Sequence, residues 1–142
     1  MSLKVIALKN ISNRGKTSTI KIVAEILYHK YLNQEKKFNS EVSDIIDINI
    51  NDKNICIAII SQGDPGTGLI KKLNEKTAKQ CDIIICATRT SGETVEAVKE
   101  IVDKNNGLLI WTTTYDVNDN NLQVKMNTLK AKQIIELIED IS

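Results

Sequence analysis

Five short apolar runs punctuate this chain, and between them apolar residues mostly return every three or four positions rather than every two. Lys4 to Leu8 contains the unbroken run Val5-Ile6-Ala7-Leu8 and predicts a short buried strand. From Thr17 to Leu32 the spacing is helical, with Ile20, Val23, Ala24, Leu27 and Tyr31 on one face. Asn33 to Glu41 is polar and charged, and reads as an exposed connection. The period then changes. Across Ile45 to Ile50, Ile46, Ile48 and Ile50 alternate with Asp47 and Asn49, which predicts a half-exposed strand, and the inserted Asp suits a sheet edge. Asn51-Asp52-Lys53-Asn54 is turn-rich and Ile55 to Ser61 is apolar, so the two runs form a β-hairpin.

Gln62 to Gly68 is the one dense glycine and proline loop. A helix from about Leu69 to Lys79 follows, then a buried strand from Asp82 to Ala87 and an exit loop from Thr88 to Gly92. Glu93 to Lys104 is helical with Val95, Val98, Ile101 and Val102 inward, and Leu108 to Thr113 is the last strand. Asp116 to Gln123 is polar and expected to be mobile. The closing helix runs from about Thr128 to Ile141, with Leu129, Ala131, Ile134, Ile135 and Ile138 as its stripe. Strands separated by helices imply parallel pairing with right-handed crossovers. The expectation is an α/β protein, a three-layer α/β/α sandwich. Its five-stranded sheet is mostly parallel with one antiparallel edge hairpin, in the order 2-3-1-4-5. A single domain spans residues 1–142.

Composition changes little in this picture. The 142 residues suffice for one core, and 42% hydrophobic with 26% charged residues is ordinary for a soluble domain. A net charge of +1 gives no bulk electrostatic case for nucleic acid or a membrane surface. No apolar run approaches the ~20 residues of a membrane helix, and the N-terminus lacks the pattern of a signal peptide. Three cysteines, Cys56, Cys81 and Cys86, without a C-x-x-C, read as reduced buried thiols of a cytoplasmic protein. One histidine makes a zinc site a poor fit.

Candidate chemistry concentrates where the first strand meets the first helix. Asn10-Ile11-Ser12-Asn13-Arg14-Gly15-Lys16-Thr17 has the spacing of the phosphate-binding loop G-x-x-x-x-G-K-S/T, with Asn10 at the first glycine position. Asn tolerates unusual backbone dihedrals better than most residues, so the loop can still close. Loop N–H groups from Asn10, Ser12, Asn13, Arg14 and Gly15 and the helix start at Lys16, Thr17 and Ser18 would face one anion. Lys16 adds a full positive charge, and Thr17 offers a hydroxyl to Mg²⁺.

This stretch resembles the Walker A motif of the P-loop NTPase superfamily. The expected order of elements is also similar to that of the small-GTPase branch. The resemblance implies Mg²⁺-nucleotide binding, with Lys16 on the β- and γ-phosphates and Thr17 on the metal. The chain departs from the branch elsewhere. Asp64 is followed at the fourth position by Thr67, so D-x-x-G is missing, and no N-K-x-D follows the later strands to select guanine. Ile11, not lysine, holds the second loop position, so the ParA-type variant is not supported.

Two further loops leave the same edge of the expected sheet, where ligands of such folds sit. In the first, Asp64 is the acidic residue for Mg²⁺, and the Gln62 amide could orient a water. Asp-Pro-Gly is also sound turn chemistry without any ligand. In the second, Arg89 carries a planar fork suited to phosphate or carboxylate, or it pairs with Glu93. Ser91 is read as the cap of the following helix, with Thr94 in its first turn. Asp82 begins its strand and lies at the wrong end of the sheet. Asp116 is read as exposed loop, Trp111 as core, and His29 as solvated.

These readings give a Mg²⁺-dependent nucleoside triphosphate binder, ATP first, in which Lys16, Gln62, Asp64 and Arg89 are the candidate catalytic residues. One alternative is a non-catalytic nucleotide or phosphate sensor acting through a protein partner. A second is a small-molecule kinase, which a homodimer or partner would have to complete, because no lid insertion is visible.

Overall fold

Alternation along each strand sets the layers of the structure, a computed structural model that describes residues 2–11, 15–62, 68–78 and 80–142. The elements follow in the order β1 (Lys4–Lys9), α1 (Lys16–Leu32), β2 (Ser43–Ile50), β3 (Lys53–Ile60), α2 (Leu69–Ala78), β4 (Ile83–Thr88), α3 (Glu93–Lys104), β5 (Leu108–Thr112) and α4 (Asn120–Ile141). Ile6 and Leu8 of β1 share one sheet face with Ile46 and Ile48 of β2, Ile55, Ile57 and Ile59 of β3, and Ile83 and Ile85 of β4. Ile20, Val23, Ala24 and Leu27 of α1 and Ala131, Ile134, Ile135 and Ile138 of α4 cover that face. Val5, Ala7, Ala58, Ile60, Ile84 and Cys86 face the other way, against Leu69 and Leu73 of α2 and Ala97, Val98, Ile101 and Val102 of α3. Each fully buried branched aliphatic chain contributes ~1.5–3 kcal/mol of burial free energy, so the two cores hold the three layers together.

The sheet order is β2-β3-β4-β1-β5. The hairpin at one edge is as expected: β2 pairs antiparallel to β3, and Asn51 and Asp52 make its two-residue turn with φ of 52° and 65°. The expected order 2-3-1-4-5 is corrected in one place, because β4 lies between β3 and β1. The chain passes from β3 through α2 into an immediate parallel neighbour, and α3 then crosses over β1 to reach β5. Asp82 fastens this arrangement. Its N–H donates to Cys56 O at 2.9 Å, its carboxylate accepts from Cys56 N at 2.9 Å, and its carbonyl accepts from Lys4 N at 3.0 Å. The order of elements along the chain is the expected one, and only the order of strands in the sheet changes.

Helix α4 is the second correction. It starts at Asn120, two turns before the expected Thr128, because the Asp119 side chain caps it by accepting from Leu122 N at 2.9 Å. Leu129 is 48% exposed instead of part of the buried stripe. On α1 the inward aromatic is Tyr28, while Tyr31 is half-buried. Helix α3 has the expected bounds and inward residues, but its N-cap is Gly92, not Ser91.

Candidate functional site

β1, β3, β4 and β5 run parallel, so their carboxyl ends share one edge of the sheet. Insertion of β4 makes the β4 exit, not the β3 exit, the neighbour of the β1 exit on that side, with the β5 exit on the other.

Lys16 occupies the first position of α1 and is buried, at 6% exposure. Its ammonium donates to Asn10 O at 2.8 Å and to Thr88 O at 2.9 Å. Thr88 O also accepts from Asn10 N at 3.2 Å, which continues the β1–β4 pairing to the strand tips. The ammonium is thus fixed in the seam where two parallel strands end. A full positive charge is costly to bury, and two carbonyl dipoles aimed at one ammonium lower that cost.

Beside it, Gly15 precedes α1 in the left-handed region with φ 77°, a conformation that disfavours any side chain. Among the described residues no side chain caps this helix start, and its first turn holds no acidic residue. The turn begins with Gly15 O accepting from Thr19 N at 2.9 Å. Thr17 is half-buried and Ser18 exposed on that turn. Thr19 Oγ1 is buried with no hydrogen-bond partner among the described residues. A helix start carries partial positive charge, and Lys16 adds a full one from the first helical position.

Asn10 is tied down on both sides of its amide. Nδ2 donates to Thr114 Oγ1 at 2.9 Å, and Oδ1 accepts from Ile11 N at 2.8 Å. A polar chain links this region to α4. The Asn127 side chain lies against Gly15, and its Oδ1 accepts from Gln123 Nε2 at 2.9 Å. Gln123 in turn donates to Tyr115 O at 2.8 Å and accepts from Val117 N at 3.3 Å. The segment between β5 and α4 is therefore held against the helix rather than loose.

Among the residues singled out from the sequence, Lys16 meets Asn10, and Gly15, Thr17 and Ser18 adjoin Lys16 along the chain at the start of α1. Arg89 is adjacent to the Thr88 anchor, and its N–H donates to Thr94 Oγ1 at 3.0 Å. Thr94 thus serves the β4 exit loop instead of a Ser91 cap. Gln62 lies at the β3 exit, beyond β4, with Oε1 buried and without a hydrogen-bond partner among the described residues. Ser12, Asn13, Arg14 and Asp64 lie outside the described residues. Asp82 is at the opposite end of the sheet, as expected. Trp111 is half-buried on the edge strand under the Lys9 ammonium, 4.4 Å from its ring centroid. His29 pairs with Glu35 at 2.7 Å on the surface.

Sequence reasoning placed Thr88 and Thr114 at strand exits without a role for either, and missed Gln123 and Asn127. Only Asn127 had a signal: it precedes Ala131 and Ile134 by four and seven residues, which sets an amide on an apolar stripe. Among the described residues, no group of three or more His, Cys, Asp or Glu side chains converges to hold a metal, and no helix is long and apolar enough to cross a membrane. The chain matches no family model and no curated protein.

Proposed function

We propose that this chain binds a nucleoside triphosphate with Mg²⁺, ATP being the first candidate, at the turn from β1 into α1. The observation that carries the reading is the Lys16 ammonium, buried at the start of an α-helix and held by Asn10 O and Thr88 O. A phosphate oxygen arriving there gains charge-assisted bonds from Lys16 and from first-turn N–H groups. Thr17, one residue on, presents its hydroxyl to a phosphate-bound Mg²⁺. Such an ion takes few protein ligands and completes its shell with phosphate and water, so a carboxylate cluster is not required. Asp64 enters as a further metal ligand through its place after β3.

Hydrolysis or phosphoryl transfer would use the same parts. Lys16 offsets charge developing on the transferred phosphoryl, and Arg89 follows Thr88, whose carbonyl accepts from the Lys16 ammonium. Gln62 Oε1, buried and without a partner among the described residues, is an acceptor suited to holding a water. Equilibrium dialysis of labelled ATP with and without Mg²⁺ tests binding, and retention only with the metal is expected. Failure to retain ATP in either buffer overturns the proposal.

One observation favours a sensor as the second reading. The helix start is coupled to α4 through Gly15 and Asn127, and Asn10 to the β5 exit through Thr114. The adjoining first turns of α4 expose Leu122 and Val124. A ligand that reorders residues 10–15 would move a surface suited to a protein partner. Phosphate release separates the two readings: tight binding with release no faster than the protein-free blank selects the sensor.

A further inference from the structure

At the end of the sheet away from Lys16, two thiols far apart in sequence meet. The Cys56 thiol donates to Cys81, with the sulfurs 3.2 Å apart across a separation of 25 residues. Their backbones are fixed. Cys56 N donates to the Asp82 carboxylate, Asp82 N donates to Cys56 O, and each bond is 2.9 Å. In the β3–β4 register Ile57 faces Ile83, so Cys56 stands opposite Asp82 and beside Cys81. A disulfide requires an S–S distance of ~2.05 Å, so the sulfurs need to approach by only about 1 Å. Side-chain rotation can supply that much while the Asp82 clamp stays closed. Cys56 is half-buried and Cys81 is 6% exposed, so a reagent reaches Cys56 first. The remaining thiol, Cys86, points into the second core from within β4 and is fully buried.

We propose that Cys56 and Cys81 are a redox modification site, a dithiol that closes to an intramolecular disulfide on reaction with a low-molecular-weight disulfide. The Cys56 thiolate attacks one sulfur of that reagent, forming a mixed disulfide and releasing one small thiolate. Cys81 gives up its proton, and its thiolate attacks Cys56 Sγ. The Cys56–Cys81 bond forms and the second small thiolate leaves. The two protons lost by the protein end on the two small thiols. Two protein thiols are oxidised and one small disulfide is reduced.

The surroundings set the speed. Burial, then the contact with Cys81 and the Asp47 and Asp82 carboxylates, push the Cys56 thiol up to about 12. Burial also raises Cys81, against the opposing pull of its Cys56 hydrogen bond and of Lys76 on α2. The pair is therefore quiescent near neutral pH, and closure should quicken up to ~tenfold per pH unit as the thiolate fraction grows. Closure would staple β3 to the turn leading into β4, the strand whose far end holds Thr88.

The test uses the full chain and oxidised glutathione at mildly alkaline pH, followed by an acid quench and alkylation in denaturant. Free thiols should fall from three to one, a linked Cys56–Cys81 peptide should appear, and dithiothreitol should restore all three. Cys81→Ser should stop at glutathione on Cys56. The same oxidation in denaturant should favour Cys81 with Cys86, the shortest loop to close, so the native pairing reports the fold. Three free thiols after oxidation, a dominant native Cys81–Cys86 link, or glutathione persisting on Cys56 of the unaltered chain would each overturn the proposal.

Discussion

The side-chain oxygen of Asn127 on α4 lies so close to Gly15 at the start of α1 that a Cβ on Gly15 would overlap it. Gly15 also has φ 77°. Two penalties therefore act on Gly15→Ala: a left-handed backbone cost of roughly 1–2 kcal/mol, and displacement of an amide that accepts from Gln123 Nε2. Urea denaturation should show a total loss of about 2 kcal/mol or more. Asn127→Ala removes the steric part only, so the Gly15→Ala and Asn127→Ala pair should cost less than the sum of the single changes. Strict additivity would contradict the contact.

The first turns of α4 depend on one cap. Asp119→Ala removes the acceptor for Leu122 N and should cost about 1 kcal/mol. Amides from Asn120 to Met126 should then exchange faster, with little change from Ile134 to Ile138, which the core holds. Equal protection before and after the change would show that tertiary contacts, not the cap, hold these turns.

Helices α1 and α4 are joined at the surface by Glu139, which accepts from Lys30 Nζ at 2.5 Å and from Tyr31 Oη. The Lys30 hydrogen bond, then the Tyr31 one, hold the Glu139 carboxyl below its ordinary value of 4.5. A depressed carboxyl pKa stabilises the fold above the unfolded value and loses that contribution as pH falls through the folded one. Burial, then the Glu139 hydrogen bond, push Tyr31 up to about 12 from 10.0. That contribution is complete below pH 10 and fades as pH climbs towards 12. Glu139→Gln should flatten the acid limb of a stability–pH curve and, because burial of Tyr31 remains, only part of the alkaline one. Because Lys30 is half exposed, the loss near neutral pH should stay within ~1 kcal/mol. An unchanged acid limb would contradict this assignment.

Much of the layering was legible because each sheet face is marked by period-2 alternation or a buried run. Ile46, Ile48 and Ile50 against Asp47 and Asn49 gave β2 its face and its edge position. The strand order was not legible. β1 and β4 are both apolar on two faces, so either could fill the slot beside β3, and the deciding bonds come from Asp82, whose sequence context is that of a strand start. The opening of α4 was hidden for another reason. Asn, Asp and Gln favour caps and turns as readily as helices, and Val124 at 64% exposure shows that no core burial marks those turns. At the site, the Gly15-Lys16-Thr17 triplet announced itself, whereas Thr88 and Thr114 act through geometry. Thr88 contributes a main-chain oxygen, which any residue type possesses.

The central claim is that the buried Lys16 ammonium and the start of α1 receive the phosphates of a nucleotide. Titration calorimetry of Mg²⁺-ATP into the full chain and into Lys16→Ala tests it most directly. The account predicts saturable heat for the unaltered chain and none for Lys16→Ala, with circular dichroism confirming that the variant remains folded. Absence of heat at millimolar Mg²⁺-ATP in the unaltered chain, or equal affinity in the folded variant, would contradict it.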